Sequence, residues 1–172
     1  MRINFETTGQ FGAGALLALA LGAPAAGQVT SVVSVDSAGV QGNEDSYRPA
    51  LSADGRYVAF GSYATNLVPG DLNGIDDVFV HDRQSGVTEL VSVDSRVLAA
   101  NGPSWQAPSV SDDGRFVAFS SAASNLVAND TNGVIDVFVR DRVRGTTTLV
   151  SASANGGPAN GESSSPSISG DG

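Results

Sequence analysis

From about residue 29 onward, apolar and polar residues alternate in short runs instead of recurring at helical spacing. In Val87-Thr88-Glu89-Leu90-Val91-Ser92-Val93 each step carries the side chain to the opposite face of an extended chain. The same reading predicts four strands in one stretch: Ala50 to Ser52, Tyr57 to Ser62, Asp77 to Asp82 and Val87 to Val93. Turn chemistry separates them. Asp54-Gly55 and Asp113-Gly114 permit positive φ in a two-residue hairpin, and Ser85-Gly86 serves the third and fourth strands in the same way. An antiparallel meander follows.

The pattern repeats about every 59 residues. Pro49-Ala50-Leu51-Ser52-Ala53-Asp54-Gly55-Arg56-Tyr57-Val58-Ala59-Phe60 returns as Pro108-Ser109-Val110-Ser111-Asp112-Asp113-Gly114-Arg115-Phe116-Val117-Ala118-Phe119. Asp77-Val78-Phe79-Val80-His81-Asp82-Arg83 returns as Asp136-Val137-Phe138-Val139-Arg140-Asp141-Arg142 at the same offset. The units run from about 49 to 107 and from 108 to 165. A third opens at Pro166-Ser167-Ile168-Ser169-Gly170-Asp171-Gly172, and Val33-Ser34-Val35-Asp36 matches Val91-Ser92-Val93-Asp94. A four-stranded sheet with two apolar faces needs sheets stacked on both sides. Radial repetition supplies them, as would a superhelical stack; four-stranded units of this kind more often close into a propeller. The fold expected is therefore all-β, an incomplete β-propeller of four-stranded antiparallel blades: two full blades and two partial ones over residues 29–172.

The stretch at 49–60 and its copy at 108–119 resembles the WD40-like, PD40-type repeat of the TolB family of propellers, and the likeness covers residues 30–172. The resemblance implies that Ser-x-Asp-Gly-Arg closes the hairpin between a blade's first two strands. It implies a protein-interaction platform, a peptidase lid or a sugar- or cation-binding domain without choosing among them. The units here depart from TolB in an added segment, Asn66 to Asp76, and in having no counterpart of the TolB N-terminal domain. A ring needs typically four to eight blades. With a last hairpin signal broken at Asp171-Gly172, the chain reads as a fragment or truncated frame, expected to expose blade faces and either self-associate or be marginally stable.

Composition narrows the function. Of 172 residues, 41% are hydrophobic, enough for a core. Eighteen acidic residues against nine basic ones give a net charge of -9, with no Lys/Arg cluster to neutralise phosphates, so neither nucleic acid nor an anionic membrane surface is an expected partner. The absence of cysteine excludes disulfides, thiolate metal sites and a Cys nucleophile. At the N-terminus, Ala15-Leu16-Leu17-Ala18-Leu19-Ala20-Leu21 followed by Ala23-Pro24-Ala25-Ala26 looks like a signal peptide over residues 1–26, placing the mature chain outside the cytoplasm, secreted or periplasmic. Glu6 in the leading region and an amphipathic docked helix are the counter-reading. The apolar run is too short to span a bilayer.

Only the added loop repeats polar ligands at fixed spacing. Asp71, Asn73 and Asp77 recur as Asp130, Asn132 and Asp136. Oxygen donors at steps of two and four residues can curl around calcium, as in EF-hand loops. The loops lack the terminal bidentate Glu, and Asn-Gly is itself a strong turn former, so a capped turn is the competing reading. No catalytic constellation is expected. The lone histidine, His81, becomes Arg140 in the next unit, which reads as a solvated or half-buried strand position. Ser52 and Ser111 sit in turns without a nucleophile elbow. The neighbouring carboxylates Asp76-Asp77 and Asp112-Asp113 point apart if extended. Trp105 covers a blade edge or stacks on a sugar. The expected function is thus a non-enzymatic propeller module for protein or cell-surface polymer binding, with calcium as an optional stiffener. The alternative is the propeller part of a hydrolase or peptidase whose catalytic domain lies elsewhere.

Overall fold

The computed structural model describes residues 30–172, and within them Ser31–Gly172 form one compact unit. The signal peptide expected at 1–26 lies outside the described residues. Among the described residues eight strands occur: β1 (Ser46–Leu51), β2 (Tyr57–Ser62), β3 (Asp77–Asp82), β4 (Thr88–Leu90), β5 (Ser109–Val110), β6 (Phe116–Ser121), β7 (Asp136–Asp141) and β8 (Thr146–Leu149). They make two antiparallel meanders, β1-β2-β3-β4 and β5-β6-β7-β8. The register repeats with the sequence: Tyr57 pairs with Asp82 and Ser62 with Asp77 in the first, Phe116 with Asp141 and Ser121 with Asp136 in the second. The described residues contain no α-helix.

Side-chain period explains the core. Ala59, Val78 and Val80 leave one face of the first sheet and join Val110, Val117, Phe119 and Phe138 of the second in one cluster. Val58, Phe60 and Phe79 leave the opposite face and pack with Ala64 and Leu67. The inner strand β3 is buried along its whole length, as a sheet sandwiched between neighbours requires. Phe60 and Phe79 stack at 5.9 Å; Phe119 and Phe138 do so at 5.8 Å.

The seam between the sheets is also repeated. The Tyr57 ring lies on Gly114, where a Cβ would come within 2.2 Å of the ring, and the Gly114 φ of 69° suits glycine in any case. Arg142 crosses the seam to pair with Glu89 at 3.0 Å and to lie 5.2 Å from the Tyr57 ring centre. One unit on, Phe116 lies on Gly172 in the same manner. At the other end of the seam, Ser104 N donates to Asp76 O and Ser163 N to Ile135 O, both at 2.8 Å. Two blades of propeller type, with the opening of a third against the second, are therefore present.

Three local expectations need correction. The first strand starts at Ser46, not Ala50, and Ser52 belongs to the turn, where its hydroxyl accepts from Tyr57 N and donates to Asp54. The hairpins close through four residues instead of two: Ser52 N bonds Tyr57 O, and Asp82 N bonds Val87 O. The fourth strand stops at Leu90. Beyond it, Val93 bridges Ala99 in a small arm that recurs at Val35–Gln41 and Ala152–Pro158. The arms at Val35–Gln41 and Val93–Ala99 each pin the outer strand of the blade that follows. Thr88 N donates to Ser37 Oγ and Thr147 N to Ser95 Oγ, both at 3.1 Å, so the exposed ladder edge is covered.

Candidate functional site

The blades have two unlike ends. At the short-loop end, Arg56 holds Asp82 by two hydrogen bonds of 2.9 and 2.7 Å, and Arg115 holds Asp141 by two of 3.0 and 2.7 Å. The guanidinium keeps each carboxyl well below the usual carboxylate range. These forks tie one hairpin loop to the next.

At the long-loop end stand the loops 63–76 and 122–135. Asn66 docks the first on its arm, its amide donating to Gln41 O at 2.9 Å while its carbonyl accepts from Asn43 N at 2.8 Å. Asn125 repeats this with Ala99 O and Asn101 N, both at 2.9 Å. The candidate metal ligands lie deeper. Asn73 Nδ2 donates to Asp77 Oδ2 at 2.6 Å and to Ala100 O at 3.1 Å, while Asn73 Oδ1 accepts from Ile75 N. Ser92 donates to Asp77 Oδ1 at 2.5 Å. Asn132, Asp136 and Ser151 repeat the arrangement. The loop's amide and aspartate are thus joined to each other, as in a capped turn. One Asp71 oxygen, Oδ1, is buried without a partner. Among the described residues no group of three His, Cys, Asp or Glu side chains is placed to hold a metal ion.

Burial sets the electrostatics here. It pushes the Asp77 carboxyl up to about 6, with Asp71 and Asp76 adding repulsion and Ser92 and Asn73 opposing. Burial also raises Asp71 and Asp130. Asp76 and Asp77 do have different surroundings, as extended neighbours should. Asp77 is well hydrogen-bonded, whereas both carboxylate oxygens of Asp76 are buried without a bond of good geometry; burial raises its pKa, and the Tyr47 hydroxyl and Arg48 oppose the rise.

His81 is not a surface residue: only 7% of it is exposed, the same as Arg140. Its Nδ1 lies 2.9 Å from Thr88 Oγ1, and Arg140 reaches Thr147 Oγ1 at 3.1 Å. Both brace the outer strand from beneath, and burial lowers the His81 pKa. Ser111 donates to Asp113 at 2.7 Å and closes its turn as Ser52 does. Trp105 is half-buried at the seam and its carbonyl accepts from Arg48 of the first blade.

Two four-stranded meanders of equal register, joined through a recurring seam, define the class: a repeat protein built from propeller-type blades. Among solved structures the chain is similar to TolB from Acinetobacter baumannii, at 18% identity over 67% of this chain and 23% of that one, with a TM-score of 0.40. It is similar also to putative TolB from Agrobacterium tumefaciens, at 19% identity over 63% of this chain and 33% of that one, with a TM-score of 0.39. The chain spans a third or less of the length of these structures. No family model matches it, and no curated protein does.

Proposed function

We propose that the chain is an exported, protein-binding propeller module whose long-loop end faces the partner. One observation carries this reading. The two blades keep the same ladder register, the same loop hydrogen bonds and the same seam, while outward positions change from Leu72 to Thr131 and from Tyr63 to Ala122. A constant scaffold under variable exposed side chains suits recognition better than shared chemistry. Export rests on the apolar run and small residues between 11 and 27. The alternative, a portion of a larger hydrolase or peptidase, is decided by the reading frame downstream: further repeats favour binding, a hydrolase domain the enzyme.

Photo-crosslinking tests the surface. Leu72 is 88% exposed in the long-loop end and Val143 is 76% exposed at the short-loop end. A photoreactive residue at 72 is expected to give discrete adducts with envelope proteins that the same group at 143 does not. Equal adducts from both, or none from 72, would overturn the proposal. Calcium in the added loops is a second reading, favoured by the unpartnered Asp71 oxygen. A thermal melt with and without chelator decides it, since an ion bound only to the folded chain must raise the melting temperature.

A further inference from the structure

The blades differ most at one spot of the long-loop end. Asp76, just before β3, is fully buried; neither carboxylate oxygen makes a hydrogen bond of good geometry, and only the nearby Tyr47 hydroxyl and Arg48 offset the burial that raises its pKa. Its counterpart is Ile135, and β7 forms in the same register as β3, so a blade needs no acid there. A buried, unpaired carboxylate is costly where an alkyl group is not. Its retention in one blade points to a task other than folding.

The groups around it are also peculiar to the first blade. Gly61 makes room: a Cβ there would sit 3.1 Å from the Tyr47 ring and 3.6 Å from Asp76 Oδ1, and the second blade has Ser120 instead. Tyr63, 49% exposed, packs against Tyr47 with ring centres 5.8 Å apart and planes tilted by 53°; its counterpart is Ala122. Ser46 and Ser104 make the same hydroxyl contact, to Ser62 and Ser121. That match makes Trp105 the counterpart of Tyr47, and leaves the second blade one residue longer before its proline. In the shorter first blade Arg48 takes a φ of 52° ahead of Pro49. Its exposed side chain places the guanidinium 5.9 Å from the Tyr47 ring centre and donates to Trp105 O.

We propose that Tyr47, Tyr63 and Asp76 receive one protonated basic side chain, lysine or arginine, presented by a partner protein, with Arg48 holding its place until the partner arrives. The inference rests on the protein-binding reading above and names the partner's chemistry. The Asp76 carboxylate, faced by little besides the Tyr47 hydroxyl, has lone pairs left to accept N–H donors, and the aromatic rings beside it favour a cation. Arg48 already sets a guanidinium beside the Tyr47 ring. The same carboxylate repels an anion, and a neutral hydroxyl gains nothing from the rings' charge preference. The chain's charge of -9 draws basic partners toward it.

Two-dimensional NMR of the full chain tests this with acetyl-lysinamide, acetyl-argininamide, acetyl-norleucinamide and methyl glucoside as probes. Saturable shifts at Gly61, Tyr63 and Asp76 are expected with the two basic probes alone, while Ser120, Ala122 and Ile135 stay still as an internal control. Asp76→Asn should weaken binding at least about tenfold. Arg48→Ala should tighten it, because the resident cation no longer competes. Binding of norleucinamide or the glucoside as strong as that of lysinamide would overturn the inference. So would unchanged affinity in Asp76→Asn, or weaker binding in Arg48→Ala. Asp76→Ile, which installs the second blade's residue, supplies a variant whose fold is already represented in the chain. Crosslinking from residue 72 that persists without lysinamide binding sinks this inference and spares the protein-binding reading; the reverse pair of results does the opposite.

Discussion

The first and second blades are built on one plan, yet they are unequal partners. Both close their short-loop ends with an Arg–Asp fork, both brace the outer strand from below, and both dock the long loop through an asparagine. The first alone buries an acid with no hydrogen bond of good geometry and surrounds it with two tyrosines, a glycine and an arginine. The second meets the same architectural demand with Ile135, Ser120 and Ala122. The internal copy thus separates residues that make a blade from residues that a blade merely carries. Asp82 and Asp141 belong to the first kind, Asp76 to the second.

The largest effect expected on breaking this symmetry is at the hairpin glycines. Gly55 and Gly114 occupy the same turn with φ of 67° and 69°, but only Gly114 lies under the Tyr57 ring of a neighbour; the nearest atom to a Cβ at Gly55 is Arg83 Nη1 at 3.7 Å. Gly55→Ala should cost about 1–2 kcal/mol, for the left-handed backbone alone. Gly114→Ala adds overpacking of about 1–3 kcal/mol. Urea denaturation should separate the two variants; equal losses would remove the seam described here.

Next comes the acid itself. Asp76→Ile should stabilise the chain at pH 7 by about 1–3 kcal/mol, the order of the penalty for an unsatisfied buried polar group. Equilibrium unfolding checks it. A loss of stability would mean that the carboxylate is satisfied, and blade 1 would no longer be the blade that gives up stability for a site. A charge-removing change at Asp82 or Asp141 should instead destabilise, and to the same extent in either blade, because each carboxylate accepts the same fork.

Much of this was legible in the residues. The 59-residue repeat and the alternation in 87–93 reveal four-stranded units, since both follow from side-chain period and local turns. The arms at Val35 and Val93 were visible only as a matching tetrapeptide, because their role depends on a hydrogen bond to a strand some 50 residues further on, from Thr88 to Ser37 Oγ. The sequence reads His81 as solvated or half-buried for a similar reason: nothing local shows that Thr88 of the next strand meets a polar residue of the inner strand. The six polar loop residues stand out by their repeated spacing, but spacing cannot tell an asparagine that faces a cation from one that caps its own turn. Asp76 drew notice only as the neighbour of Asp77. The signal was its exchange for Ile135 between copies, since an acid and an alkyl group in equivalent places cannot both serve the fold.

The smallest effect is on pH dependence, and it divides the acids once more. The forked Asp82 and Asp141 have folded pKa values below their unfolded ones, so the stability they confer is present above about pH 4 and is lost as the pH falls through the folded values. Asp77 is the opposite case. Its folded value of about 6 lies above the unfolded one, so the folded chain binds a proton that the unfolded chain releases, and stability falls as the pH rises from about 4 to 6. The raised Asp71, Asp76 and Asp130 act in the same direction. Thermal melts should therefore peak at about pH 4 and decline on both sides, the upper limb running to about pH 6. Asp77→Asn should flatten the decline on the neutral side and leave the acid limb in place. If the neutral limb kept its slope in that variant, the titration would belong to the other buried acids, with Asp76 of the first blade the group to examine next through Asp76→Ile.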